Sequence, residues 1–286
     1  MGSRPLADHP PGQGTPLAAK SPYELRVNLG AHVPEADVRT ALASGDMGFL
    51  HSFTTGSAVD GPGVRVVAWT AGCMWRCLYC HNPDTWTVTN GLPVTVAQAV
   101  AELGKYRQGL KVMAGGFTLS GGEALMQHRF AVKLLGAAQG MGIHTALDTN
   151  GYYGDRLSDT ELEMADLVIL DIKCWTPERH RRLTGVDIEP TLAFARRLAA
   201  RRRLVWLRYV LVPGWSDDAA ETEGVAGFAA GLGNVERVDV LPFHQMGRFK
   251  WKSLGLEYTL DDVDPPDPSA VGRAVAVFRA AGLTAY

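Results

Sequence analysis

From residue 49 onward, short apolar strand patterns alternate with helical patterns, and this alternation constrains the fold more than any other feature of the chain. It is typical of a parallel sheet whose strands are joined by crossover helices. Six strand–helix units predict an α/β fold, either an open barrel or a doubly wound sheet, and both place function at the carboxyl ends of the strands. We predict strands over 64–70, 116–120, 144–148, 167–171, 204–211 and 237–241, helices over 123–139, 190–202, 217–231 and 269–281, and two capping boxes, Thr95 with Gln98 and Ser158 with Glu161.

Residues 1–48 are predicted to be an N-terminal extension, and residues 49–286 a single domain. Residues 1 to about 22 are rich in proline and glycine. Their apolar content is too low to offset the entropy of ordering, so we predict that they are flexible. Pro34 and Gly45 bracket a segment that favours a short helix.

The charge balance excludes several classes of protein. Lys and Arg number 28 and Asp and Glu 30, a net charge of -2, which argues against nucleic acid or an anionic membrane as a partner. No apolar run approaches the roughly 20 residues that span a bilayer, and the first residues lack a secretory signal. We therefore expect a cytoplasmic protein, in which the four cysteines are thiols, metal ligands or catalytic groups.

The strongest motif is AGCMWRCLYCHN, which follows the first predicted strand and carries Cys73, Cys77 and Cys80. Soft thiolates select iron–sulfur clusters, zinc or Cu(I). A structural zinc site usually has a fourth ligand, and none is evident near this loop. Three thiolates on a four-iron cubane leave one iron open for chemistry. Zinc and unligated core cysteines are the alternatives, and the isolated Cys174 is predicted to be a small buried hydrophobic residue.

Long strings around these cysteines resemble the pyruvate formate-lyase activating enzymes, a branch of the radical S-adenosylmethionine (SAM) superfamily. The resemblance covers residues 51–286. It implies a partial (β/α)6 barrel of the TIM type, one [4Fe-4S] cluster on the catalytic cysteines Cys73, Cys77 and Cys80, and SAM on the open iron. The strings that carry it are GSAVDGPGVR, WRCLYCHNPDTW, SGGEAL, IHTALDTNG, DLVILDIK, VWLRYVLVPGWSDD and LPFHQMGRFKW.

Two pairs of residues at predicted strand ends suit the methionine part of SAM. Gly121 and Gly122 lack side chains and permit close approach to the backbone, and the resemblance implies that they contact the SAM amino group. A tight turn is the alternative. Asp171 and Lys173 stand two apart on one strand face and could bind the zwitterion, or could pair with each other instead. Ile172 between them belongs to the same predicted set.

The resemblance assigns further roles. Asp148 and Thr149, with Asp171, would bind a monovalent cation, although acids at strand ends also cap helices. His244 would lie against the adenosyl group, unless it is a structural histidine. Tyr79 and His81 would contact the adenine.

The loop with Asp60 resembles the one that seats the family's peptide substrate, or is a plain turn. The implied reaction is the formation of a glycyl radical on pyruvate formate-lyase, with a flavodoxin or ferredoxin as electron donor. A chain with four cysteines can ligate one cluster. Activators of several other glycyl radical enzymes carry further clusters, so the cysteine count favours pyruvate formate-lyase as the partner. The alternatives are another glycyl radical enzyme or small molecule as target, and a binding module with a structural metal.

Overall fold

The computed structural model describes residues 35–286, with side chains from Thr40 onward. The segment predicted to be flexible, up to about residue 22, and Pro34 lie outside the described residues. Helix α1 (Glu35–Ser44) confirms the predicted short helix and ends before Gly45, whose φ is +78°. Strand β1 starts at Met47, so the proposed domain boundary at residue 48 falls inside a strand.

Eight strands form one sheet, and they are β1 (Met47–Ser57), β2 (Arg65–Thr70), β3 (Leu92–Thr95), β4 (Gly116–Gly121), β5 (His144–Thr149), β6 (Leu167–Asp171), β7 (Leu204–Leu211) and β8 (Val235–Pro242). Their order in the sheet is β3-β1-β2-β4-β5-β6-β7-β8. From β2 through β8 the neighbouring strands are parallel, whereas β1 pairs antiparallel with both β2 and β3. In the described part of the chain β3 and β8 do not pair with each other, so the sheet is open, as in a partial barrel.

All six predicted strands are present, with ends within two residues of the prediction. Strands β1 and β3 were not predicted. Strand β1 buries Met47, Leu50 and Phe53, but His51 and Ser52 interrupt the apolar alternation, and the pairing with β2 shifts register at that point. The antiparallel strand therefore extends the sheet beyond the predicted parallel units.

The helices connect the strands along one face of the sheet. Both predicted capping boxes are present, at the starts of α2 and α5. The helix predicted over 123–139 is split, because the Glu123 carboxylate accepts a hydrogen bond from Leu125 N and forms a short 3-10 turn (Ala124–Gln127) before α4. The helices after α1 are α2 (Val96–Gly104), α3 (Arg107–Val112), α4 (His128–Gly140), α5 (Asp159–Leu162), α6 (Pro177–Thr184), α7 (Glu189–Ala200), α8 (Ala219–Leu232), α9 (Arg248–Ser253) and α10 (Pro268–Ala280).

Strand alternation separates the core from the site. Phe117, Leu119 and Leu147 join the large apolar cluster beneath the helices, where each buried side chain contributes about 1.5 to 3 kcal/mol. Ala146 and Ile169 lie on the opposite, inner face. Residues two positions further along a strand share a face, so polar side chains at the carboxyl ends also face inward. These are Ser120, Asp148, Asp171 and Arg208.

Candidate functional site

The loop with the three cysteines follows β2 and is fixed by backbone hydrogen bonds to distant segments. Arg76 N donates to Thr184 O at 2.6 Å and Leu78 N to Leu183 O at 3.0 Å, which ties the loop to the end of α6. Cys73 N donates to Trp86 O at 3.1 Å. The cysteines are half-buried at the carboxyl ends of the strands. The fold thus holds all three thiols on one short, anchored loop.

Burial raises the pKa of all three cysteine thiols, and neighbouring thiols raise the pKa values of Cys73 and Cys77 further. The pKa of Cys77 is about 12, although the charge of Lys173 lowers it. At neutral pH these thiols are therefore protonated in the metal-free chain. Binding of a metal centre must displace their protons, because the thiolate is the ligand.

Three buried hydrogen-bond donors without partners surround this loop. They are Nε1 of Trp75, the hydroxyl of Tyr79 and Nε1 of Trp86, three of six such buried side-chain atoms among the described residues. Cluster sulfides and cysteine thiolates accept hydrogen bonds. Three soft ligands, with unpartnered buried donors on and near the same loop, fit an iron–sulfur cluster. In residues 40–286, no three His, Cys, Asp or Glu side chains are grouped to hold a single metal ion.

Gly121 and Gly122, at the end of β4, pack against the backbone beside the cysteine loop. Gly121 has φ +136°, and a Cβ atom there would lie 2.2 Å from Thr70 N. A Cβ at Gly122 would lie 2.4 Å from Gly72 O and 3.1 Å from the Cys73 Cβ. Larger residues would therefore push the SGGE turn away from the cysteine loop. The tight turn predicted as an alternative is present.

Glu123 links the SGGE turn to the end of β5. Its carboxylate accepts hydrogen bonds from Leu125 N at 2.8 Å, Thr149 Oγ1 at 2.6 Å and Asn150 N at 2.7 Å. Burial raises its pKa to about 7, and these three hydrogen bonds oppose that rise. Glu123 is therefore a positioning residue that fixes the relative placement of two strand ends.

Lys173 and Asp171 form an ion pair with each other, one of the two arrangements that the sequence allowed. Lys173 Nζ lies 2.8 Å from Asp171 Oδ1 and 5.7 Å from the centre of the Tyr79 ring. Burial lowers the pKa of Lys173, but Asp171 and Cys77 outweigh it, so that the pKa lies above its usual value. Ile172 is buried on the opposite face. The fold therefore brings a fixed ammonium beside the cysteine loop.

Arg208 is a central residue that the sequence analysis did not assign to the site. Its guanidinium donates to Asp148 Oδ2 at 2.9 Å and to Asp60 Oδ1 at 3.1 Å. It sits opposite Asp171 in the pairing of β6 with β7. An arginine inside the apolar string VWLRYVL was the available signal, since charged residues in buried strands need partners.

The residues predicted for a monovalent cation make protein contacts. Burial raises the pKa of Asp148 despite Arg208, and its Oδ2 also accepts from Ser120 Oγ at 2.6 Å. The Thr149 hydroxyl donates to Glu123 at 2.6 Å. Asp148 and Asp171 lie on one face of the sheet, but Arg208 supplies the positive charge beside Asp148.

Asp60 is buried within a loop that the rest of the DGPGVR string holds in place. Its carboxylate accepts from Ser57 Oγ at 2.5 Å, and its carbonyl from Thr118 Oγ1 at 2.6 Å. Arg65 donates to Thr118 Oγ1 at 3.0 Å. Burial lowers the pKa of the Arg65 guanidinium to about 10. The loop thus reaches the inner face of the sheet through Asp60 and Arg208.

His81 and His244 stack on each other beside the cysteine loop, which the sequence did not reveal. Their ring centres are 4.1 Å apart with planes at 18°, and His81 Nε2 lies 3.1 Å from His244 O. Burial, together with His244, lowers the pKa of His81 to about 4, so its ring is neutral at pH 7. Cys174 is fully buried, as predicted, with Sγ 3.8 Å from Trp215 O.

The fold and the cysteine loop define a radical SAM protein. The Radical SAM superfamily sequence model matches residues 67–223. A radical SAM methyltransferase from Sphaerobacter thermophilus shares the fold, with a TM-score of 0.58 and 18% identity over 89% of this chain and 81% of that one. In residues 35–286, no helix is long and apolar enough to cross a membrane.

Two curated relatives narrow the family. The pyruvate formate-lyase 1-activating enzyme of Escherichia coli strain K12 is 43% identical over 238 residues, covering 82% of this chain and 97% of the relative. The pyruvate formate-lyase-activating enzyme of Staphylococcus aureus strain USA300 is 44% identical over 234 residues, covering 79% and 93%. This chain belongs to the radical SAM superfamily and, within it, to the family of pyruvate formate-lyase activating enzymes. Membership implies a [4Fe-4S] cluster and SAM as cofactors.

Proposed function

We propose that this chain activates pyruvate formate-lyase (formate C-acetyltransferase) under anaerobic conditions by generating a glycyl radical on it. The observation that carries the proposal is the anchored three-cysteine loop beside Lys173 and Asp171, in a chain 43% identical to a pyruvate formate-lyase activating enzyme. A bound, reduced cluster held by Cys73, Cys77 and Cys80 would supply the one electron needed to cleave SAM to methionine and the 5′-deoxyadenosyl radical, which would take the glycine hydrogen.

In this proposal, the protein orients the reacting groups and excludes water. Cys73, Cys77 and Cys80 would hold the cluster. The SAM amino group would lie at the backbone of Gly121 and Gly122. The remaining predicted SAM contacts lie on the cysteine loop, at or just after the end of β6, or just after β8, and they are Tyr79, His81, Asp171, Ile172, Lys173 and His244.

Lys173 would bind the SAM carboxylate, and Asp60 would meet the glycine-bearing peptide. Asp60 is held by Arg208 and Ser57, so a peptide would approach an oriented carboxylate. A monovalent cation on Asp148, Thr149 and Asp171 would have to share Asp148 with Arg208. The proposal also includes a flavodoxin or ferredoxin as electron donor and a cytoplasmic location.

The test of function is the transfer of the radical to a purified partner. The anaerobically reconstituted chain, SAM and a low-potential reductant are incubated with pyruvate formate-lyase and, separately, with a glycerol- or choline-type glycyl radical lyase. We expect the doublet signal of a glycyl radical, in electron paramagnetic resonance (EPR), on pyruvate formate-lyase. A doublet only on the second protein would change the target. A full cluster without SAM cleavage would favour the binding module instead.

Replacing Lys173 by alanine is expected to weaken SAM binding roughly ten- to a hundredfold while the cluster remains. One charge-assisted contact with the SAM carboxylate, about 1.5 to 3 kcal/mol, would be lost. Calorimetry on the reconstituted protein measures the dissociation constant. The matched control is Lys133→Ala, because Lys133 pairs with Asp46 on the surface. An unchanged dissociation constant for Lys173→Ala would show that Lys173 serves only its ion pair with Asp171.

A further inference from the structure

Trp86 lies between the two ends of the cysteine loop. Its carbonyl accepts a hydrogen bond from Cys73 N at 3.1 Å. Its ring meets the ring of Trp251 edge-on, with centres 5.1 Å apart and planes at 88°. Trp251 Nε1 in turn donates to Cys80 O at 2.7 Å, and the Arg76 guanidinium lies 4.9 Å from the Trp86 ring centre. The indole is therefore fixed on several sides, next to Cys80.

The indole N–H of Trp86 is buried and has no hydrogen-bond partner that meets ordinary geometry. Leaving such a donor unsatisfied costs about 1 to 3 kcal/mol. Burial raises the pKa of the Cys80 thiol, and the Asn82 backbone N–H and the Trp86 indole act in the opposite direction. This unpartnered N–H belongs to an indole that packs on Trp251, which is itself bound to the Cys80 backbone, and the Cys80 sulfur becomes a full acceptor when it ligates iron as a thiolate.

We propose that Trp86 donates its indole N–H to the Cys80 sulfur in the cluster-bound protein and thereby raises the reduction potential of the cluster. A hydrogen bond to a cluster sulfur stabilises the reduced state more, because that state carries more negative charge on sulfur. Trp86 is a positioning residue, because it would act on the cluster through the Cys80 sulfur. The inference rests on the proposed cluster site on Cys73, Cys77 and Cys80.

The test is an EPR-monitored redox titration of the anaerobically reconstituted full chain. Trp86→Phe keeps an aromatic ring and removes the donor. At a fixed potential we expect about a tenfold lower ratio of reduced to oxidised cluster, which equals a shift of about 59 mV to more negative potential for one electron. Trp86→His retains a ring N–H and is expected to lie closer to the wild-type potential.

Two other tryptophans serve as controls. Trp251→Phe keeps an aromatic ring beside Trp86 and removes a donor to a carbonyl rather than to sulfur, so it should shift the potential less. Trp206→Phe removes an N–H that donates to Glu236 at 2.9 Å, far along the sequence on β7, and should leave the potential unchanged. Equal midpoint potentials for wild type and Trp86→Phe, or the same shift in all three phenylalanine variants, would overturn the inference.

A second measurement covers the case in which Trp86→Phe fails to hold iron. Wild-type protein labelled with ¹⁵N in the indole rings is reduced and studied by pulsed EPR. A ¹⁵N coupling that persists in both Trp251→Phe and Trp75→Phe supports the hydrogen bond from Trp86, and its absence from the wild type, or its loss in Trp75→Phe, overturns it. Wild-type protein that binds no cluster would overturn the proposed function as well, whereas a full cluster without this coupling overturns only the role of Trp86.

Discussion

Replacing any one of Cys73, Cys77 and Cys80 by alanine is expected to abolish both cluster assembly and SAM cleavage. Each sulfur is one of three protein ligands, and no fourth cysteine lies on the loop that α6 and Trp86 anchor. The wild type should hold about four irons per chain, one cubane. Each variant should fall to background iron, lose the broad visible absorbance and release no 5′-deoxyadenosine when reduced with SAM.

Cys174→Ala is the matched control, because it removes the remaining thiol of the chain. Cys174 packs with Tyr79, Leu183 and Phe243 in an apolar cluster. Its loss should cost about 1 kcal/mol of stability, the scale of a small buried deletion, and leave iron content and SAM cleavage near wild type. Full iron in any of the three loop variants, or loss of iron in Cys174→Ala, would refute the assignment of the ligands.

Arg208→Met is expected to lower the free energy of unfolding by about 3 to 5 kcal/mol, the usual cost of removing one partner from a buried ion pair. Methionine retains most of the length of the side chain but leaves Asp60 and Asp148 without their cation. Urea unfolding followed by far-ultraviolet circular dichroism measures the change. The effect should be largest above the pKa of Asp148, where its carboxylate is charged.

Two further variants separate charge from packing. In Arg181→Met the lost partner is Asp187, and both side chains of that ion pair are exposed, so the change should stay within about 1 kcal/mol. Adding Asp148→Asn to Arg208→Met removes one of the two buried carboxylates that lost their partner, and it should recover part of the stability. If Arg208→Met unfolds at the same urea concentration as wild type, Arg208 does not hold the inner face together.

The parallel part of the fold was predictable because each strand and helix signal is local. Apolar runs predicted β2, β4, β5, β6, β7 and β8. The capping boxes at Thr95 and Ser158 predicted where α2 and α5 begin. Strand β1 was not predicted, because its ends depend on pairing with two other segments of the chain and because His51 and Ser52 separate its apolar residues. Tertiary pairing, rather than propensity, makes it a strand.

In the candidate site, too, the locally encoded features were predictable and the long-range contacts were not. The spacing of Cys73, Cys77 and Cys80 is a chemical signal that sequence alone carries, and the two-residue separation of Asp171 and Lys173 fixes a shared face. The partners of these groups are not encoded locally. Arg208 reaches Asp148 across 60 residues, and His81 meets His244 across 163. Such contacts become visible only when the strand ends converge.

The anchoring of the cysteine loop also bears on the order of events during synthesis of the chain. Leu183 and Thr184 hold the loop in shape, and Trp251, 171 residues beyond Cys80, completes its surroundings. A growing chain that has left the ribosome only as far as β4 carries all three cysteines but none of these partners. We therefore expect delivery of iron and sulfide to follow translation and to require a chain that is finished almost to its last helix.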